Sequence, residues 1–513
     1  MSNSFVIKNS HRNNLLIFLI YFLLVTFLNC CKKEHIEQPV EKILVNIDDK
    51  VSISKNEFIR RAEYTIRPPY CKGNSYIHKK IILNSLIAEK LFALEAENRD
   101  SLLQNEEFQY FLKGRKEQAM RQWMYHKEAT EKVRLDSSDI KKFFNFAGRE
   151  YQIAYYSICD SMLSNHVPKM SAEDDSNFKE IYHTLFGDTL IPRKNISWGD
   201  VENLKLLEAL FSENIYKGKV LEAIAVDKNE YLIVKVLGWS DAKAITGNQM
   251  QKRLKEVSEK LIRLNASEIW QNYVAQIMKG KTLEFNESVF WQVNDIFFKL
   301  FFRTNVETKN SLREIIWDLE QGPVKSLDEM EVHDILDQPI FSIEGEMWTV
   351  NDFRKELMSH PLVFRKRKMQ SHEFAQQFRL AVADLIRDRY VTIKAYEKGY
   401  DEVNVVKRNE RMWRDAFMAL YQKQTYLKSI KEKRNFNKSY MGIIGDHLNT
   451  YVDSLQQEYH KKIQLDFDEF ENITFTGIDL LVKQESQPYQ YMVPKFPVLT
   501  TDHHIDYLTK MKH

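Results

Sequence analysis

Between Arg149 and Trp239 the chain changes its period. Tyr151-Gln152-Ile153-Ala154-Tyr155-Tyr156-Ser157-Ile158 alternates as a half-buried strand does. Residues 219–226 and 230–236 carry β-branched side chains at the same spacing, and Asp227-Lys228-Asn229 between them reads as a turn. The sequence linking the first run to the last two is polar and helical, and on either side of the stretch the pattern is almost entirely helical. With 513 residues the chain is too long for one core. The expected fold is mainly α and multidomain: a helical body with a small α/β domain inserted at 148–240. Only 15 Gly and 11 Pro punctuate the sequence, which favours helix over loop-rich β architecture.

Charge excludes some functions. Lys and Arg number 74 against 72 Asp and Glu, so no bulk basic character marks a nucleic-acid binder. The 31 Phe and 24 Tyr speak for an ordered protein rather than a disordered one. No complete Gly-x-x-x-x-Gly-Lys-Ser/Thr phosphate loop, His-Glu-x-x-His pair or nucleophile elbow is present, which disfavours the commoner hydrolase classes. No cofactor or metal site is expected from Cys and His spacing, and His503-His504 reads as solvated tail.

The N-terminus reads as an address. Lys8 and Arg12 precede an apolar run over residues 15–28, followed by Asn29-Cys30-Cys31-Lys32-Lys33. A basic start and about 14 apolar residues fit a secretory signal peptide over 1–30, since a spanning helix needs about 20. An uncleaved anchor is the alternative. Leu28-Asn29-Cys30-Cys31 resembles a bacterial lipobox, which implies Cys31 as the lipidated first residue of a mature chain, membrane attachment through its acyl chains, and a periplasmic, outer-membrane location. Without Lys8 and Arg12 the mature chain is formally neutral. Cys71 and Cys159 remain, either as a disulfide or as two separate thiols.

After a tether over 31–41, residues 42–147 open with a short strand at 43–47, a turn at Asp48-Asp49-Lys50, and Ser54-Lys55-Asn56-Glu57, a capping box ahead of Phe58. Helices follow over 78–97 and 103–133, and Val133 to Lys141 leads into another. The pattern recurs in residues 336–430: a strand at 340–343, a turn at Glu344-Gly345-Glu346, then Thr349 and Asp352 ahead of Phe353. Leu385-Ile386-Arg387-Asp388-Arg389-Tyr390 echoes Leu86-Ile87-Ala88-Glu89-Lys90-Leu91, and Ala395 answers Ala96 at the same offset of 299. Two related strand-turn-helix-helix segments are expected, with a helical segment at 241–335 between the α/β domain and the second. In that segment Phe290, Trp291, Phe297, Phe298, Phe301 and Phe302 either grip apolar peptide or form core between helices. Residues 431–513 read as helical and then extended, with 489–497 wrapping the body.

These residues carry a resemblance. Val45-Asn46-Ile47, Ser54 to Phe58 and Leu86 to Leu91 look like the N-terminal chaperone segment of the periplasmic SurA-like and PrsA-like foldases. Tyr151 to Ile158, Glu208 to Ser212, Gly218-Lys219-Val220 and Tyr231 to Val236 resemble the strands and last helix of their parvulin-type peptidyl-prolyl isomerase domain, and Ile196-Ser197-Trp198-Gly199 resembles its Leu-Gly-Trp segment. The resemblance implies a chaperone that binds unfolded or outer-membrane polypeptides. It also implies a proline pocket lined by Tyr155, Cys159, Leu204, Leu207, Phe211 and Leu232. Active relatives carry His where Tyr155 and Leu232 stand, Leu204 and Leu207 replace a Met and a Phe, and Cys159 or Asp160 falls late for the Cys-or-Asp position. A leucine cannot donate a hydrogen bond. The expectation is therefore a degenerate isomerase domain on a lipid-anchored chaperone. The alternatives are an active isomerase and an assembly subunit of an envelope complex.

Overall fold

The computed structural model describes residues 39–97, 103–173, 176–187, 190–227, 230–302, 333–366, 368–476, 489, 491–505 and 509–510. The expected signal peptide and Cys31 lie outside them, as do Lys228 and Asn229 of the expected turn. Helices dominate, with a few small open sheets, as expected for a helical body carrying a small β-containing region. The chain forms two compact units, one of Met1–Met120, Glu284–Ile478 and Val493–His513, the other of Arg121–Leu283 and Asp479–Met492. Among the described residues no helix is long and apolar enough to cross a membrane.

In the first unit, β1 (Ile43–Ile47) and β2 (Val51–Ser54) form a hairpin, and α1 (Lys55–Glu63) follows directly. Asp48 and Asp49 take positive φ at the turn, where a short polar side chain is tolerated. Ser54 caps α1 by accepting from the Glu57 amide. The expected reciprocal half of that box is not made: Glu57 turns inward to Lys90, where a buried ammonium needs a carboxylate more than the helix end does. Next come α2 (Tyr76–Glu97) and α3 (Glu106–Glu128). The helix expected over 103–133 stops at Glu128, because Ala129 leaves helical geometry and a 3-10 turn occupies Thr130–Lys132.

The second unit follows. α4 (Ser137–Phe144) starts at a capping box of Asp136 and Asp139. Then come β3 (Arg149–Ile158), α5 (Ser161–Glu173), α6 (Asn177–Phe186), β4 (Arg193–Ser197), α7 (Leu204–Phe211), β5 (Ile224–Asp227), β6 (Glu230–Asp241) and α8 (Gly247–Met278). The four strands make an antiparallel sheet in the order β4-β3-β6-β5, with β3 paired to β6 along its whole length. The strand expected at 219–226 is split. Val220 makes only an isolated bridge to Lys235, and regular pairing resumes at Ile224. β4 was not expected as a strand; its first three residues are exposed, so it lacks the apolar alternation that marks one. Both faces of the sheet are covered. Tyr151, Ile153, Val234 and Val236 pack with α4, α7 and α8 on one face; Ala154, Tyr156, Ile158 and Ile233 pack with α5 and α6 on the other.

The chain then returns to the first unit through β7 (Leu283–Phe285), α9 (Glu287–Phe302), β8 (Pro339–Ile343), β9 (Glu346–Thr349), α10 (Val350–Ser359), α11 (Phe374–Glu397) and α12 (Asn404–Ser429). It ends with α13 (Phe436–Ile443), α14 (Asn449–Tyr459), β10 (Ile463–Leu465), α15 (Phe467–Glu471) and β11 (Thr509–Lys510). The expected duplication is visible in these elements. The β8–β9 turn again has positive φ, at Glu344 and Gly345, and Thr349 and Asp352 complete a capping box at α10. Lys55 N donates to Lys42 O in one copy, and Val350 N to Gln338 O at the matching place in the other.

Neither hairpin is completed by the strand that follows it in its own copy. β1–β2 is joined by β10, from the segment that follows the second copy, and β8–β9 by β7, from the segment that lies between the α/β domain and the second copy. The two joining strands match. Leu283-Glu284-Phe285-Asn286 and Ile463-Gln464-Leu465-Asp466 each lead into a helix whose Phe, Phe290 or Phe470, is fully buried. Asn286 N donates to Ile340 O as Asp466 N donates to Leu44 O, each at 2.9 Å. The two copies have thus exchanged strands within one chain, the intramolecular form of a domain swap. The two resulting lobes share the first unit.

Candidate functional site

The residues expected to line a pocket belong to the α4–α7–α8 face of the second unit's sheet, with the exception of Cys159. Alternation along β3 sends Tyr151, Ile153 and Tyr155 to this face, and β6 contributes Leu232, Val234 and Val236. The register sets Tyr155 opposite Val234 and Ser157 opposite Leu232. Asn203 caps α7 by accepting from the Leu206 amide, which points Leu207, Leu210 and Phe211 into the sheet. Leu207 and Phe211 are wholly buried, while Tyr155, Leu204 and Leu232 are partly exposed at the same cluster. Five of the six expected residues therefore meet. Cys159 does not join them: it sits past the end of β3 as an exposed free thiol. Asp160 caps α5 through the amides of Met162 and Leu163.

The segment Ile196-Ser197-Trp198-Gly199 fixes the other end of this face. Trp198 is buried edge-on to Phe211 at 5.4 Å, and Ser197 and Asp200 close a capping box beneath it. Lys260 of α8, unmarked among the charges of its helix in the sequence, donates from its buried ammonium to the carbonyls of Trp198 and Gly199. Burial lowers its pKa to about 8. This face offers apolar surface and the phenols of Tyr151, wholly buried, and Tyr155, partly exposed. No imidazole lies on β3 or β6, so neither central strand supplies an imidazole donor to this face.

Cys71, in the other unit, is buried and free, and burial pushes its thiol up to about 12. The two cysteines are thus separate thiols. Asp502, His503 and His504 bring ligand atoms within 4.8 Å of one another on a largely exposed stretch, where His504 is engaged by Asp502.

A second apolar site lies in the β7–β8–β9 lobe. Phe290 is fully buried against Phe285, Phe378 and Trp291, so here the aromatics of α9 are core. Phe297, Phe298, Phe301 and Phe302 are only partly buried, and Trp291 is 48% exposed. Between α9 and α10 lies a small crevice of about 10 Å³ lined by Val293, Ile296, Phe297, Val350, Phe353, Arg354 and Leu357. Met347 and Val363 of the same lobe stand 58% and 67% exposed. Arg379 lies 4.2 Å over the Phe290 ring and makes paired 2.9 Å bonds to Glu287, a charged rim beside the aromatics.

Comparison with known proteins gives little beyond this geometry. No family profile matches the chain, and no curated protein matches it. Among solved structures, the foldase protein PrsA from Streptococcus pneumoniae is similar over 46% of this chain and 94% of its own, at 12% identity and a TM-score of 0.19.

Proposed function

We propose that this chain is a chaperone of foldase type that binds unfolded polypeptides, tethered to the periplasmic face of an outer membrane through lipid on Cys31. The observation that carries the reading is the β7–β8–β9 lobe. It combines exposed Trp291, Met347 and Val363 and the partly buried Phe297, Phe298, Phe301 and Phe302 with a rim of Arg379 and Glu287. Loose apolar contact with a charged surround suits weak, broad recognition of unfolded chains. The α/β unit then serves as a further binding or spacing module with little isomerase activity. Proline isomerisation requires a site that favours the twisted amide over the planar one, against a barrier of about 20 kcal/mol. The face at Tyr155 and Leu232 supplies apolar shape without imidazole donors. The anchor rests on the sequence pattern alone.

Two assays test this reading. The purified protein, at about equimolar ratio, is expected to suppress aggregation of a denatured test protein while leaving its proline-limited refolding phase unchanged. Acceleration of that phase by more than about tenfold would overturn the view of the α/β unit; absence of any effect on aggregation would overturn the chaperone reading. In cells, radiolabelled palmitate is expected to enter the wild-type chain and not Cys31→Ser; equal labelling of both refutes the anchor.

A further inference from the structure

The exchanged strands β7 and β10 are equivalent, yet their outer edges are treated differently. β10 lies between β1 and β11: Thr509 and Lys510 of the chain's own tail pair with Gln464 and Leu465 in parallel. β7 ends its sheet, and among the described residues no strand pairs with its far side. Because Asn286 N is turned to Ile340 O, the alternation of a strand turns the amide and carbonyl of Phe285 away from β8. The same alternation turns those of Leu465 away from β1, and that is the edge β11 occupies. An unpaired strand edge is a template for another chain, and strand addition is a recurrent mode of peptide capture.

We propose that the outer edge of β7 takes an extended segment of an unfolded client polypeptide as an added parallel strand, as Thr509–Lys510 adds to β10. The occupant follows from the equivalent edge, which an extended segment already fills in the same orientation. Main-chain bonds would hold the segment whatever its sequence, which suits a chaperone with many clients. The exposed Glu284 on this strand favours a segment carrying Lys or Arg. Trp291, packed edge-on to Phe290, which itself touches Phe285, offers apolar surface beside it.

This inference rests on the polypeptide-binding reading, and the experiment separates the two. Full-length protein is mixed with reduced, carboxymethylated α-lactalbumin, which cannot fold, and amide hydrogen exchange is followed by mass spectrometry. In parallel, the photocrosslinker p-benzoylphenylalanine is placed at Glu284 or at Glu346 on β9, the opposite edge of the sheet. Exchange over residues 283–285 is expected to slow by about tenfold or more with the probe, and crosslinks to form from position 284 in preference to 346. Binding of the probe without protection at 283–285, or crosslinks mainly from 346, overturns the β7 site and leaves the chaperone reading standing. Protection already complete without probe means the chain covers this edge itself, and protection that grows with protein concentration alone means a second copy does; either result overturns the proposal. Failure to bind the probe at all overturns both readings.

Discussion

The two lobes of the first unit are built on one skeleton and closed in two different ways. Position for position, Phe58 answers Phe353 and Lys90 answers Arg389. In the β1–β2 lobe, α2 is buried on nearly every side, against α12, α14, the sheet and the tail. Its interior holds charge. Arg61 grips Glu89 through two 2.7 Å bonds and donates to Lys495 O at 2.8 Å, and Lys90 sits between Glu57 and Asp415 at 2.9 Å each. In the β8–β9 lobe the matching Arg389 reaches Glu356 at 3.0 Å and covers Trp348 from the surface.

The contrast extends to the ends of the exchanged strands. α15 has 5 residues, and its last carbonyls need a donor: Lys79 supplies one, reaching Phe470 O, Glu471 O and Ile473 O at 2.9–3.1 Å. After this helix the chain runs on as a strap, with Phe475 against Phe58 and Phe496, Leu499 and Ile505 buried. α9 has 16 residues, so no helix end falls at the corresponding place, and the residue matching Lys79 is Phe378, packed on Phe290 at 5.5 Å. A polar lock on a lobe crossed by the tail thus becomes an aromatic surface on a lobe that, among the described residues, no such segment crosses.

The largest test of this contrast is at the matched cations. Burial disfavours the charge on Lys90, but Asp415 and Glu57 outweigh it and raise its pKa, so the ammonium stays protonated. Lys90→Met strands two buried carboxylates and is expected to cost about 3–5 kcal/mol in urea denaturation. Arg389→Met, at a side chain 42% exposed, is expected to cost about 1 kcal/mol, including its contact with Trp348. Equal losses would mean the two lobes are locked alike.

Much of the skeleton was legible because local rules carry it. The hairpin turns, the Ser54 and Thr349 caps and the offset between Ala96 and Ala395 are short-range signals, and the elements formed where those signals lay. The resemblance names Tyr155, Leu204, Leu207, Phe211 and Leu232 together, and alternation along β3 and β6 with the spacing of α7 brings them to one face. The Cys159 expectation depended on counting past the end of β3, where alternation no longer fixes direction. The strand exchange was not legible, since three residues at 283–285 and 463–465 carry almost no periodic signal and a strand's choice of partner is not local. Nor was the buried charge. Nothing local in the sequence pairs Arg61 with Glu89 or Lys90 with Asp415; only the enclosure of α2 on nearly every side brings them together.

The exchange also makes a junction that should titrate. Glu117 of α3, from the first copy, is buried where it meets His360 at the end of α10 and accepts from the Tyr396 hydroxyl of α11 at 3.0 Å, both from the second copy. Burial works against the Glu117 charge, but the His360 hydrogen bond and charge outweigh it and hold the carboxyl below its ordinary value of 4.5. A carboxyl lowered by folding contributes stability that is complete above the unfolded pKa and is lost as pH falls through the folded one. Glu117→Gln is therefore expected to cost about 1–2 kcal/mol at pH 7, and the gap to wild type should close as acid protonates the native carboxyl. Urea midpoints measured from pH 7 down to about pH 3 decide it. A gap that stays constant would mean that Glu117 contributes packing rather than charge, and that the two copies are joined by their exchanged strands and helices alone.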